Sequence, residues 1–81
     1  MTEKNITLSS VEDIKNLVTI AELCDFSIDI GKNINNSLDA KSLLGIMALG
    51  LNTRLKLFYN GENILLENFI RSHQVCSSAL S

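Results

Sequence analysis

The residues whose type and spacing suit chemistry fall in three places along this chain. Ser9 stands three residues before Glu12, and Ser10 three before Asp13. Either pair has the spacing of a helix capping box, in which hydroxyl and carboxylate satisfy the free N–H groups of a first turn. Such a turn is also where a phosphate would be held, and here two acids stand in it. Ser42 precedes Leu43, Leu44, Ile46, Met47 and Leu49, which places it as the cap of a second helix. The single histidine, His73, follows Arg71 and Ser72 and has no cysteine or histidine companion at ligand spacing. It reads as a solvated residue assisting the dipole at the end of a last helix. Cys24 and Cys76 match no CxxC or zinc pattern. Cys24 reads as a small buried helix residue and Cys76 as a free thiol in a polar tail. No metal or cofactor is implied.

Composition narrows the function classes. The chain has 81 residues, 46% of them hydrophobic, a net charge of −2 and no proline. That length supports one hydrophobic core, so residues 1–81 read as a single domain with 73–81 as a frayed tail. A chain so short is poorly suited to a deep enclosed substrate pocket, and the expectation is that it is not an enzyme. Seven basic against nine acidic residues argue against nucleic-acid binding, which draws its affinity from neutralised phosphates. The apolar content excludes disorder. Met1 to Asn5 is polar with no apolar stretch behind it, and no run approaches a membrane span. With the cysteine usage, these features suggest a cytoplasmic protein without membrane contact.

The elements that must position these residues follow from periodicity. Asn5 to Leu8 alternates as a short strand. Ile14, Leu17, Val18, Ala21 and Cys24 recur at three- and four-residue steps, predicting a helix over 11–24. Phe26, Ile28 and Ile30 alternate as a second strand, and 31–37 is turn chemistry rich in asparagine. Leu38 and Ala40 suggest a third strand. The helix begun at Ser42 stops at Gly50. Leu51, Leu55, Leu57 and Tyr59 read as a fourth strand whose other side carries Lys56 and Phe58. Asn60-Gly61 has hairpin chemistry, yet the pairs Leu65/Phe69 and Leu66/Ile70 favour a turn and then a helix. The order strand, helix, strand, strand, helix, strand, helix predicts an α+β fold: four mostly antiparallel strands with three helices on one face.

Residues 38–51, Leu-Asp-Ala-Lys-Ser-Leu-Leu-Gly-Ile-Met-Ala-Leu-Gly-Leu, resemble the second-helix signature of HPr, the small histidine-containing phosphocarrier of the bacterial sugar phosphotransferase system. The element order agrees, and the resemblance extends over residues 5–72. It implies an HPr-like open-faced sandwich of order βαββαβα. The family's carrier motif, Gly-aliphatic-His-x-Arg-Pro, is not matched. Ser10 falls where the resemblance would place the phosphorylated histidine, Glu12 near the arginine and Asp13 near the proline.

A phosphohistidine needs an imidazole nucleophile, free N–H groups and a cation for the phosphoryl charge. A phosphoryl group would bring about −1.5 to −2 charge against Glu12 and Asp13. At roughly 5 Å and an effective dielectric of about 20, each unit pair repels by about 3 kcal/mol, well above the ~0.3–1 kcal/mol returned by the helix dipole. Exposed side chains that swing away reduce the repulsion without changing its sign. The first reading is therefore a degenerate, HPr-like protein without histidine carrier activity, working by protein–protein contact in sugar uptake or carbon regulation.

In Gram-positive relatives the family's serine at the start of the second helix is phosphorylated by a dedicated kinase/phosphorylase, and the product is corepressor for a transcription factor. Ser42 stands at that position with Lys41 before it, and Leu43, Leu44 and Met47 take the places of an exposed docking patch. Ser42 is thus either a plain cap or a regulatory acceptor; the three apolar residues are either core or a partner site, with at least one facing solvent. The implied partners are phosphotransferase-system enzymes, a serine kinase/phosphorylase or a transcription regulator. Charge placement adds a further hint. Glu12 to Asp29 carries five acids and one lysine, whereas Ile30 to Asn60 carries four basic residues and one aspartate. An acidic first helix would weaken docking to partners suited to an electropositive surface. The second reading is a phospho-acceptor at Ser42, and the third a generic α+β interaction module with neither chemistry.

Overall fold

Alternation in the last strand sets the architecture. Leu55, Leu57 and Tyr59 point to one side of β4 (Arg54–Tyr59) and are fully or almost fully buried. Register brings Ile6 of β1 (Thr2–Thr7) opposite Leu55, and Ile30 and Ile28 of β2 (Ile28–Gly31) opposite Leu57 and Tyr59. One sheet face is thereby continuous and apolar. β3 (Ser37–Asp39) pairs with β2, giving the strand order β1-β4-β2-β3 with every pairing antiparallel. The structure, a computed structural model, describes residues 1–74. Of the predicted tail, residues 73–81, His73 and Gln74 are described, and the rest, with Cys76, lies outside the described residues.

Three helices cover the apolar face: α1 (Val11–Leu23), α2 (Leu43–Leu49) and α3 (Ile64–His73). They contribute Ile14, Leu17 and Ala21, then Ile46, then Leu66, Phe69 and Ile70 to one core with the strand residues. The α+β sandwich expected from the element order is what the chain forms. The opposite sheet face carries charge, with Lys56 Nζ 3.0 Å from Glu3 Oε2 across β4 and β1. Phe58 shares that face but is only 5% exposed and lies outside the main core; Glu3 and Asp29 are its cross-strand partners.

Several boundaries differ from expectation for local reasons. β1 spans Thr2–Thr7 rather than 5–8, because its first residues are recruited by backbone pairing with β4, not by apolar alternation. Leu8 is buried beyond the strand end, and its carbonyl accepts the Asn52 N–H at 2.7 Å. Phe26 precedes β2, its ring 6.1 Å from Tyr59 and packed against Gly61. The asparagine-rich segment contains a 3₁₀ turn, Ile34–Asn36, capped by the Asn33 side chain. Leu51 is no strand residue: Gly50 has φ 97° and Asn52 φ 58°, left-handed positions that break extended backbone before β4 begins. Cys24 is the half-buried C-cap of α1 rather than a buried helix residue. Its thiol pKa is raised, first by burial and then by the neighbouring Asp25.

Candidate functional site

The first turn of α1 is assembled by its own acids. Ser10 takes an extended conformation and is the N-cap, its Oγ accepting the Asp13 N–H at 3.2 Å. Asp13 closes the box from the other side, with Oδ2 accepting both the Ser9 N–H and the Ser9 hydroxyl at 3.0 Å. Of the two candidate boxes the structure uses Ser10 with Asp13, the return bond reaching one residue further back than the usual motif. Glu12 is exposed. Asp13 Oδ1 faces His73 Nε2 at 3.2 Å. The Asp13 carboxyl is held below its ordinary pKa, chiefly by the Ser9 backbone N–H; partial burial opposes this, while His73 and the Ser9 hydroxyl add to it.

His73 corrects the sequence expectation. It is not a solvated end residue. Its ring stacks on Phe69 with centroids 4.1 Å apart, its Nδ1 lies 2.9 Å from the Phe69 carbonyl oxygen, and its side chain is one-fifth exposed. Folding therefore carries the histidine to the helix start from which the sequence separates it. The geometry nonetheless gives it no nucleophile, because each ring nitrogen is directed at an oxygen acceptor. The pairing escaped sequence reasoning because nothing in the order Arg71-Ser72-His73 encodes a partner in α1.

Ser42 forms the second centre. It is the exposed N-cap of α2, its Oγ accepting the Gly45 N–H at 3.3 Å. The preceding turn is held by the Ser42 N–H on the Asp39 carbonyl and the Lys41 N–H on Asp39 Oδ1, both at 2.9 Å. Lys41 is exposed. The apolar residues after Ser42 divide between core and surface: Ile46 is fully buried, Leu43 packs half-buried on the core, and Leu44 and Met47 are 78% and 43% exposed. Leu51 is exposed too. The sequence placed it in a strand; the glycine before it was the signal that the chain turns there.

An open cleft lies by the start of α3, where Lys4, Asn60, Asn63 and Glu67 surround Tyr59. None of the site residues expected from sequence lines it. The Tyr59 hydroxyl donates to Glu67 Oε2 at 2.9 Å, and burial together with this carboxylate pushes the phenol pKa up to about 12.

No protein-family model and no curated protein matches the chain. Solved structures do. HPr-C-His from Thermoanaerobacter tengcongensis superposes with a TM-score of 0.67 at 22% identity, covering 88% of this chain and 89% of that one. A phosphocarrier protein HPr from Bacillus anthracis str. Ames gives a TM-score of 0.67 at 23% identity, covering 90% and 96%.

The chain has the HPr fold.

The likeness runs through nearly the whole HPr chain in both comparisons, so the open-faced sandwich implied by residues 38–51 is the observed one. Within this HPr fold, the α1 start holds Ser10 and an Asp13 already engaged by Ser9 and His73. Among the described residues no helix is long and apolar enough to cross a membrane.

Proposed function

We propose that this HPr-fold chain is an interaction module of the sugar phosphotransferase or carbon-regulation setting, without histidine phosphocarrier activity. It is not an enzyme in this reading. It works in the cytoplasm through protein contacts, without nucleic acid, membrane or cofactor. The observation that carries the proposal is the state of the α1 start. The Asp13 carboxylate occupies the first turn and binds Ser9, and the nearby imidazole has both nitrogens turned to acceptors. A phosphoryl group needs a free nucleophilic nitrogen and positive potential there, and it would meet a fixed negative charge instead. Exposed Leu44 and Met47 beside Lys41 and Ser42 supply a surface for a partner such as a phosphotransferase-system enzyme or a transcription regulator. Incubation with the general phosphotransferase enzyme and phosphoenolpyruvate tests the reading: the chain stays unlabelled, and an acid-labile phosphate on it would overturn the proposal.

A second reading makes Ser42 a regulatory acceptor for a serine kinase/phosphorylase, favoured by its exposure and by Lys41 next to it. It expects one phosphate from ATP in the presence of that kinase, lost in Ser42→Ala. If neither reaction labels the chain, the third reading, a module with neither chemistry, stands.

A further inference from the structure

The His73–Asp13 contact joins the last turn of α3 to the first turn of α1, and beyond denying a phosphoryl group a free nitrogen it couples the two helices. Both neighbours of the ring are acceptors: the Asp13 carboxylate at Nε2, 3.2 Å away, and the Phe69 carbonyl at Nδ1, 2.9 Å away. A neutral imidazole has one N–H and one lone pair, so either tautomer would aim a lone pair at an oxygen; only the imidazolium donates from both nitrogens. We propose that His73 and Asp13 form a proton-operated clasp between the two helices, closed by the imidazolium and loosened when the ring loses its proton.

The surroundings suit a device of this kind. The ring lies flat against Phe69, itself a core residue, so its displacement would uncover apolar surface. Immediately after it, Gln74 bridges to Ile6 of β1, so the clasp also guards the place where the chain leaves α3. Among the described residues the charged groups around the ring are few. From α1 come Asp13 and, in the same turn, exposed Glu12. β1 brings the uncharged Ile6 to this end, and α3 itself brings exposed Arg71. Asp13 is the one in direct contact.

The test is an NMR pH titration of the whole chain, in which the one histidine gives unambiguous ring signals. The Ser9 and Asp13 amides are expected to move with the same midpoint as the His73 ring. Amide exchange in the last turn of α3, corrected for its intrinsic rise with pH, is expected to quicken about tenfold through that midpoint. His73→Gln abolishes both responses, and Asp13→Asn abolishes the Ser9 response while the ring still titrates. Stationary Ser9 and Asp13 amides beside a titrating ring, or corrected exchange that is flat with pH, would overturn the proposal. If Asp13→Asn fails to fold, the wild type and His73→Gln decide the matter alone.

Discussion

The Tyr59 hydroxyl is bound to the Glu67 carboxylate at 2.9 Å, tying the end of the central strand β4 to the first turns of α3. The folded phenol titrates at about 12 against an ordinary value of 10. A folded pKa above the unfolded one means that the group's stabilisation is complete below about pH 10 and is lost as pH climbs through the folded value. Because Tyr59 is the only tyrosine, an ultraviolet phenolate titration reads it directly. The expected midpoint lies near 12 in the folded protein, and Tyr59→Phe is expected to remove this part of alkaline destabilisation. At neutral pH the same variant should cost roughly 0.5–1.5 kcal/mol in denaturant unfolding, the net worth of one hydrogen bond.

At the start of α1 the sign is opposite. Asp13 has a depressed folded pKa, so its contribution is present above the ordinary carboxylate range and disappears as pH falls through the lowered value. Asp13→Asn is expected to flatten the acid limb of stability against pH. Ser10→Ala, which removes the cap on the Asp13 N–H, should cost about 1 kcal/mol at all pH values. Denaturant melts across the acid range separate the two.

Helix α2 offers a contrast between neighbours. Leu44→Ser removes a side chain that is mostly in solvent and should change stability by no more than about 0.5 kcal/mol. Ile46→Ala empties a fully buried position and should cost about 2–5 kcal/mol. If the exposed side of α2 docks a partner, Leu44→Ser and Met47→Ser lose that binding while keeping wild-type melting behaviour.

Gly61 is held by a ring, not by backbone freedom. A Cβ there would stand 2.4 Å from a carbon of the Phe26 ring, a rigid neighbour packed beside Tyr59. Gly61→Ala is therefore expected to destabilise by about 1–3 kcal/mol through overpacking, measured by equilibrium unfolding. Shrinking Phe26 to leucine in the same chain should recover part of the loss.

What the sequence disclosed depended on how local the cause was. Ser42 and Gly50 bound α2 as expected because capping is decided within one turn. The alternation of Leu55, Leu57 and Tyr59 disclosed the buried side of β4 because a sheet face repeats every second residue. The alternation that predicts β1 begins only at Asn5, because Thr2, Glu3 and Lys4 owe their strand conformation to β4, distant in the chain. Phe58 lies on the side of β4 that carries Lys56, as the alternation predicts, yet its near-complete burial depends on neighbouring strands. At the candidate site, the cap at Ser10 and the acids after it were legible, while the imidazole brought to Asp13 was not. That contact exists only once α1 and α3 are packed side by side.

The strand order has a consequence for the nascent chain. Among the described residues β4 is the last strand to be synthesised, yet it lies between β1 and β2 and supplies the pairing partner of each. While β4 is still within the ribosome, the β2–β3 hairpin is the one strand pair that can close, and β1 waits without a neighbour. The sheet is then completed by a single late arrival that joins the earliest and middle segments at once. Folding of this kind is governed by long-range loop closure, which makes the interval before β4 emerges the period of greatest exposure to mispairing.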